Sequence, residues 1–104
     1  MELDKVQKRI MQNKINKGFN TKDIYMEFCY LFGEVGEALD AYRKKKDDLG
    51  SELADIGIFL LGLSEMLGFS LEDEINKKLD INEKRVYKTI NGVMLKENPT
   101  DEGK

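Results

Sequence analysis

The sequence lacks histidine and tryptophan, and it has one cysteine, Cys29, and one proline, Pro99. Without histidine there is no imidazole to act as a general base or to join cysteine in a zinc site. A single cysteine excludes a disulfide within the chain and is typical of a reducing compartment. Because proline is missing before position 99, long helices are possible throughout that part of the chain. The sequence is therefore that of a helical protein without histidine or disulfide chemistry.

The sequence also lacks a long apolar run and an excess of positive charge. Its longest apolar stretch, residues 56–63, is far shorter than a membrane span, and its first residues are charged where a signal peptide is apolar. Seventeen basic and 20 acidic residues give a net charge of −3, so nothing draws the whole chain to a nucleic-acid polymer or an anionic membrane. We expect a cytoplasmic protein of 104 residues with a single domain over residues 1–96.

Hydrophobic periodicity predicts an all-α fold of four helices. They are expected over about residues 2–16, 22–45, 51–67 and 71–85. Gly18 is expected to end the first helix, and Asn20 or Thr21 to cap the second. The pair Asn91-Gly92 lies between β-forming residues and predicts a small C-terminal hairpin over residues 87–96. Residues 97–104 are expected to be a disordered tail.

Two of the predicted helices have apolar faces that must be covered. On the second, apolar residues recur every three or four positions and are expected to face the core: Ile24, Phe28, Leu31, Val35, Leu39 and Tyr42. On the third, Asp55 is the only polar residue between Leu53 and Leu63. A helix that is apolar on nearly all sides must be buried on all sides, and a few short helices cannot surround it. We therefore expect a bundle that is completed by oligomerisation.

Four acidic residues form two pairs with the spacing of neighbours on a helix face. Glu34 and Glu37 lie on the second helix, and Glu52 and Asp55 lie in the first turn of the third. The angular positions of the second pair fall among the core-facing residues, and antiparallel helices would bring the two pairs together. Half-buried carboxylates repel one another, and a hard divalent cation with oxygen ligands relieves that repulsion. This pattern predicts a Mg²⁺ site, with Mn²⁺ as the alternative ion, although either pair alone is common on solvated helix faces.

Lys78, Asn82 and Arg85 recur with helical spacing beside the apolar stripe of the fourth helix. Two cations and an amide next to an acidic metal site would suit the binding of a polyphosphate. Taken alone, the same three residues are more typical of an exposed polar stripe than of a binding site. Cys29 is expected to be a small buried apolar residue, because nothing near it in sequence would lower the pKa of its thiol.

Taken together, these motifs resemble the MazG-like, all-α nucleoside triphosphate pyrophosphohydrolases. The two acidic pairs look like the ExxE…ExxD signature of that family, and Lys78-x-x-x-Asn82-x-x-Arg85 looks like its phosphate-binding helix. Further stretches that resemble the family lie at residues 16–19, 33–39, 52–56 and 91–96. The resemblance covers about residues 13–96. It departs from the family's pattern at Gly33, where many members have a glutamate, and in having no tryptophan.

The resemblance implies a four-helix, dimeric or tetrameric hydrolase of nucleotide metabolism. It would bind Mg²⁺ and cleave a ribo- or deoxynucleoside triphosphate between the α and β phosphates, releasing monophosphate and pyrophosphate. By the same resemblance, the metal ligands would be Glu34, Glu37, Glu52 and Asp55, with Glu34 and Glu37 as the catalytic pair, and the phosphate-binding residues would be Lys78, Asn82 and Arg85. Glu27 is a further candidate for activating the attacking water. Phe19 is a candidate for stacking on the base or, alternatively, an ordinary core residue.

Two alternatives stay open on the sequence. The first is a phosphoribosyl-ATP pyrophosphatase, which shares the helical architecture but fits the Asn91-Gly92 hairpin and the Lys78 to Arg85 run less well. The second is a non-enzymatic helical module that forms oligomers and in which the acidic residues are only structural. The apolar third helix fits the nucleotide pyrophosphohydrolase and both alternatives equally well. The inward position of the acids favours an enzyme.

Overall fold

The computed structural model describes residues 2–96, apart from the side chains of Ile90 and Lys96. Its elements are α1 (Leu3–Lys17), α2 (Ile24–Arg43), α3 (Leu49–Leu67), α4 (Leu71–Lys84), β1 (Tyr87–Ile90) and β2 (Val93–Lys96). The prediction of a mostly helical chain with a small C-terminal hairpin is confirmed over these residues. The tail predicted to be disordered, residues 97–104, lies outside the described residues.

The described chain divides into two compact units. The first extends to Leu71 and contains α1, α2 and α3, with α1 and α2 both packed on α3. The second begins at Glu72 and contains most of α4 and the hairpin. In the first unit, a short turn at residues 44–48 joins α2 to α3, so the two helices pair along their length.

The helix ends follow local rules, with two differences from the prediction. Gly18 ends α1 with a φ of 70°, a left-handed conformation that glycine adopts without steric cost. The N-cap of α2 is Asp23, whose carboxylate accepts a hydrogen bond from the Met26 backbone, so the expected caps Asn20 and Thr21 are wrong. Asn20 instead supports the turn, because its amide donates to the Asp23 carbonyl. The third helix begins at Leu49, two residues earlier than predicted.

The C-terminal hairpin has the turn that its sequence predicts. Asn91 and Gly92 both have positive φ angles, 53° and 81°, as a two-residue type I′ turn requires. The antiparallel register pairs Tyr87 with Lys96 and Ile90 with Val93. The turn closes two four-residue strands directly, which explains how so short a hairpin forms.

The buried apolar core of the single chain is small. Among the described residues, only Ala38, Ala41 and Leu63 are buried apolar side chains. The expected core stripe of α2 is wrong for the single chain: Ile24 and Leu31 are half-buried, while Phe28, Val35, Leu39 and Tyr42 are exposed. The face of α2 that is buried instead carries Glu27, Ala38 and Ala41. The buried apolar residues of α2 are thus small alanines, and its bulky apolar residues lie on exposed flanks of the helix. Cys29, expected to be buried, is also exposed.

No single helix among residues 2–96 is long and apolar enough to cross a membrane. The helices α3 and α4 reach that length and composition only when they are added together across the break between them. The finding concerns length and composition alone.

Gln7 is the most completely buried polar residue of α1, with 2% of its surface exposed. Its amide nitrogen donates to the Phe69 carbonyl at 2.8 Å and to the Glu65 carboxylate at 3.1 Å. Its amide oxygen accepts from the Leu71 backbone N–H at 2.8 Å. One side chain therefore satisfies a carbonyl at the end of α3 and an N–H at the start of α4, groups that helices leave unpaired at their ends.

Replacement of this amide should destabilise the fold. We expect Gln7→Leu to lower the free energy of unfolding by about 2 kcal/mol, because the partly buried Phe69 carbonyl and Leu71 N–H both lose the partner that Gln7 supplies. Urea unfolding at a fixed protomer concentration measures the change. Gln12→Leu is the matched control, since Gln12 is exposed and bonds only to Asn16 one turn away. Equal midpoints for the two variants would contradict the role assigned to Gln7.

Candidate metal centre

Three carboxylates from α2 and α3 converge in the first unit. One oxygen each of Glu34, Glu37 and Glu52 can be chosen so that all three lie within 4.8 Å of one another. Glu34 and Glu52 are half-buried, and Glu37 is exposed. The structure therefore brings together residues from both predicted acidic pairs. We call this group the acidic cluster.

The fourth predicted ligand, Asp55, lies one turn along α3 from Glu52. It is half-buried, and its charge acts on both Glu34 and Glu52. Asp55 thus adds negative charge beside the acidic cluster and raises the pKa of two of its members. The placement follows from the i, i+3 spacing, which keeps Asp55 on the side of α3 that carries Glu52.

Burial and mutual repulsion both act on the acidic cluster. The pKa of Glu34 is raised first by desolvation, then by the charge of Glu37 and a hydrogen bond with it, and then by Asp55 and Glu52. The pKa of Glu52 is raised by desolvation and by Glu37, Asp48 and Asp55, while Lys46 lowers it. Each shift has the sign expected when negative charge is held out of water beside like charge.

Two oxygens of the acidic cluster have no hydrogen-bond partner. The Oε2 atoms of Glu34 and Glu52 are both buried, and neither accepts a hydrogen bond from any described residue. Buried polar atoms are usually satisfied, so such orphans call for a ligand that the chain does not supply. Closely spaced carboxylate oxygens are the donor set that Mg²⁺ and Mn²⁺ take. The chemistry of the residues therefore fits a hard divalent cation.

Two turns before Glu34, α2 carries a further carboxylate, Glu27, which is 2% exposed. Lys14 of α1 donates to its Oε1 at 2.5 Å, and Asn20 donates to the same atom at 3.2 Å. Glu27 was a candidate for activating water, but the structure engages it in this buried pair. Sequence reasoning missed Lys14, because a lysine in a weakly amphipathic helix gives no signal of burial.

A cavity of about 780 Å³ opens between α1, α2 and α3 beside the Lys14–Glu27 pair. Its polar lining includes Arg9, Asn13 and Asn16, and its apolar lining includes Ile58 and Phe59. Phe19 also lines the cavity and is 57% exposed, so its alternative role as a core residue is wrong. A cavity of this size, with mixed lining and an exposed aromatic ring, could accommodate a small organic ligand.

The cavity and the acidic cluster are separated by two helical turns. Glu27 lines the cavity and lies seven residues before Glu34. Seven residues span about 10 Å along a helix and return to nearly the same face. A single extended ligand could therefore reach from the cavity to the acidic cluster.

The predicted phosphate-binding residues lie in the second unit. Lys78 and Asn82 are exposed and one turn apart on α4, and Arg85 follows the end of that helix and is half-buried. The backbone carbonyl of Asn82 accepts a hydrogen bond from the Arg85 N–H at 3.3 Å. The three residues are thus close together along the second unit. Their action together with the acidic cluster stays a prediction.

Comparisons of the chain with protein-family models, with curated proteins and with solved structures each found no match. The resemblance to the MazG-like enzymes therefore rests on the motifs and their spacing. What can be argued beyond it comes from the acidic cluster and the cavity.

Removal of one charge from the acidic cluster should stabilise the metal-free protein. The pKa of Glu34 is raised in the folded protein, so the folded state keeps this proton at pH values above 4.5 at which the unfolded chain has lost it. Stability therefore falls as the pH rises beyond 4.5, because ionisation of Glu34 costs more in the folded state than in the unfolded chain. We expect Glu34→Gln to raise the melting temperature in EDTA at pH 7, and the gain to shrink as the pH falls toward 4.5. Thermal melts across this range measure it. Asp40→Asn, an exposed acid of the same helix, should show no such dependence.

Disruption of the buried ion pair should act in the opposite direction. Lys14→Met leaves the Glu27 carboxylate buried without its cation, and we expect a loss of about 3–5 kcal/mol in unfolding free energy. Lys14→Met combined with Glu27→Met should recover most of that loss, because no buried charge remains. Denaturant unfolding measures both. The control, Lys5→Met, breaks the exposed pair with Glu2 and should change stability by less than about 1 kcal/mol.

Proposed function

We propose that this protein is a Mg²⁺-dependent nucleoside triphosphate pyrophosphohydrolase of the MazG-like type. The reaction is hydrolysis of a ribo- or deoxynucleoside triphosphate at the α–β anhydride, giving nucleoside monophosphate and pyrophosphate. The single observation that carries the proposal is the acidic cluster with its two buried, unpartnered oxygens. The motif resemblance supplies the reaction class.

In this proposal Glu34, Glu37, Glu52 and Asp55 hold the ion, with Mn²⁺ as a substitute for Mg²⁺. A bound divalent ion would neutralise phosphate charge and make the attacking water more acidic. Glu34 and Glu37 lie three residues apart on α2, so one can bind while the other orients water or takes its proton. Water attacks phosphorus, the bridging P–O bond breaks, and pyrophosphate leaves with the bond's electron pair.

The cavity is proposed to take the nucleoside end of the substrate. Its distance of about 10 Å along α2 from Glu34 suits a ligand whose phosphates lie at the acidic cluster and whose base lies beyond them. Phe19 offers a ring on which a base can stack, and Asn13 offers an amide that both donates and accepts hydrogen bonds. An amide of this kind fits more than one base.

The remaining parts of the proposal concern phosphates and assembly. Lys78, Asn82 and Arg85 would bind the triphosphate tail, because cations and amides suit phosphate oxygens. The active species would be a homodimer or a homotetramer that acts on free nucleotides in the cytoplasm. The exposed apolar residues support oligomerisation, because so small a buried core is marginal for a single chain.

The decisive experiment is an assay of product release from a panel of ribo- and deoxynucleoside triphosphates, with Mg²⁺ or with EDTA. We expect monophosphate and pyrophosphate only when Mg²⁺ is present, and we expect Glu37→Gln to reduce the rate by at least about 100-fold while the protein stays folded. Asp40→Asn is the matched control on the same helix and should keep full activity.

Other products would contradict the proposal in distinguishable ways. Orthophosphate would show cleavage at another bond. Turnover of phosphoribosyl-ATP in preference to simple nucleotides would favour the first alternative. No hydrolysis of any substrate, together with no thermal stabilisation by Mg²⁺, would favour a non-enzymatic helical module.

A further inference from the structure

The three helices of the first unit end in the same backbone motif. In each, the residue after a left-handed one donates its N–H to the carbonyl five residues earlier, at 2.9 Å: Phe19 after α1, Lys46 after α2 and Phe69 after α3. The left-handed residue is a glycine in α1 and α3, but in α2 it is Lys45, with a φ of 54°. A lysine adopts this conformation only at a steric cost. The end of α2 thus has two lysines where the other two ends have a glycine and a phenylalanine.

This motif fixes the position of Lys46 relative to the acidic cluster. Its N–H is bonded to the carbonyl of Ala41, which lies one turn after Glu37 on the same side of α2. Glu52 lies in the first turn of α3, and α3 begins three residues after Lys46. The backbone of Lys46 is therefore held about one turn beyond the acidic cluster along α2, and within the same unit.

The charge of Lys46 acts on the acidic cluster but is not paired there. Desolvation raises the pKa of Glu52 most, neighbouring carboxylates raise it further, and the charge of Lys46 lowers it. Lys46 is nevertheless exposed, and among residues 2–96 it forms no salt bridge. Lys14 differs, because it is buried in direct contact with the Glu27 carboxylate. An exposed ammonium group that lies near the acidic cluster without being bonded to it is available to a ligand.

The cavity, the acidic cluster and Lys46 follow one another along α2. Glu27 lines the cavity, Glu34 and Glu37 belong to the acidic cluster, and Lys46 follows the C-terminal end of the helix. A substrate with its nucleoside in the cavity and its α-phosphate at the acidic cluster extends its β and γ phosphates toward that end. The terminal phosphates and the ammonium group of Lys46 are then neighbours.

We propose that Lys46 binds the two terminal phosphates of the substrate, which leave together as pyrophosphate. The inference rests on the proposed function, because it uses the direction of the substrate given there. It adds a phosphate-binding residue that belongs to the same unit as the acidic cluster.

The chemistry of lysine suits this role. Its ammonium group is a compact charge on a flexible stem, with three donors that can follow phosphate oxygens as they move. Negative charge accumulates on the leaving pyrophosphate as its bond to the α-phosphorus breaks, and a cation at that place stabilises it. Lys46 acts by charge and hydrogen bonds alone, so no covalent bond forms to it.

The first test measures equilibrium binding and does not depend on turnover. Calorimetric titration with pyrophosphate in the presence of Mg²⁺ should show binding to the wild-type protein. Lys46→Gln should weaken that binding by at least about 10-fold, because a charge-assisted hydrogen bond is lost. Lys44→Gln is the matched control: it removes the same charge from an exposed position two residues away, and we expect a change of less than about 2-fold. Lys46→Arg, which keeps the charge, should recover most of the affinity.

The second test identifies which phosphates Lys46 contacts. A nucleoside monophosphate lacks the terminal phosphates, so Lys46→Gln should bind it with the affinity of the wild-type protein. Hydrolysis of the triphosphate that the wild type prefers should lose at least about 10-fold in kcat/KM in Lys46→Gln, and should be unchanged in Lys44→Gln.

The outcomes separate this inference from the proposed reaction. Equal losses of pyrophosphate affinity in Lys46→Gln and Lys44→Gln, or no binding of pyrophosphate by the wild type, would overturn the role of Lys46 even if triphosphates are hydrolysed. A loss of monophosphate binding with pyrophosphate binding intact would overturn the direction of the substrate. Pyrophosphate binding that depends on Lys46, in a protein that hydrolyses no nucleotide, would support the inference while contradicting the enzyme.

Discussion

The close packing of α2 on α3 is the constraint on which the rest of the first unit depends. Ala38 and Ala41 are the buried apolar residues of α2, and such small side chains allow two helices to approach one another closely. That approach places Glu34 and Glu37 against Glu52, with charge that water cannot fully screen. It also leaves the larger apolar residues of α2 on a flank, where the chain itself does not cover them. The packing of α2 on α3 therefore accompanies both the acidic cluster and the exposed apolar residues of α2.

The local parts of this architecture could be predicted from the sequence. Helix positions, the left-handed Gly18 and the Asn91-Gly92 turn depend on neighbouring residues, and the structure has the glycine and the turn as expected and each helix end within two residues of its predicted place. The convergence of the acidic pairs also follows from local information, because i, i+3 spacing on two helices joined by a short turn leaves few other arrangements. The N-cap of α2 was missed because Asn20, Thr21 and Asp23 all suit that position, and only the turn geometry decides among them.

The orientation of α2 could not be predicted from the sequence in the same way. Hydrophobic periodicity identifies the face that avoids water, but it does not distinguish burial within a chain from burial against a second one. Phe28 and Leu39 satisfy the periodicity, so the pattern predicts them in the core. The buried face of α2 carries Glu27, whose charge is paired with that of Lys14, a partner 13 residues away on α1. A buried ion pair between two helices does not alter the hydrophobic periodicity of either helix, so the sequence pattern does not reveal it.

Buried Glu27 and half-buried Glu34 lie on the same face of α2 but differ in how their charge is balanced, and the difference bears on function. Glu27 has a lysine and an amide of the same chain on one oxygen, so its charge has a counter-charge within the chain. Glu34, two turns further along, has other carboxylates as neighbours and keeps a buried oxygen without a partner. A chain that holds one carboxylate with a lysine has the means to hold the next in the same way. An uncompensated cluster beside a compensated one is what a site for an exchangeable cation requires, because a fixed lysine would occupy the place of the ion.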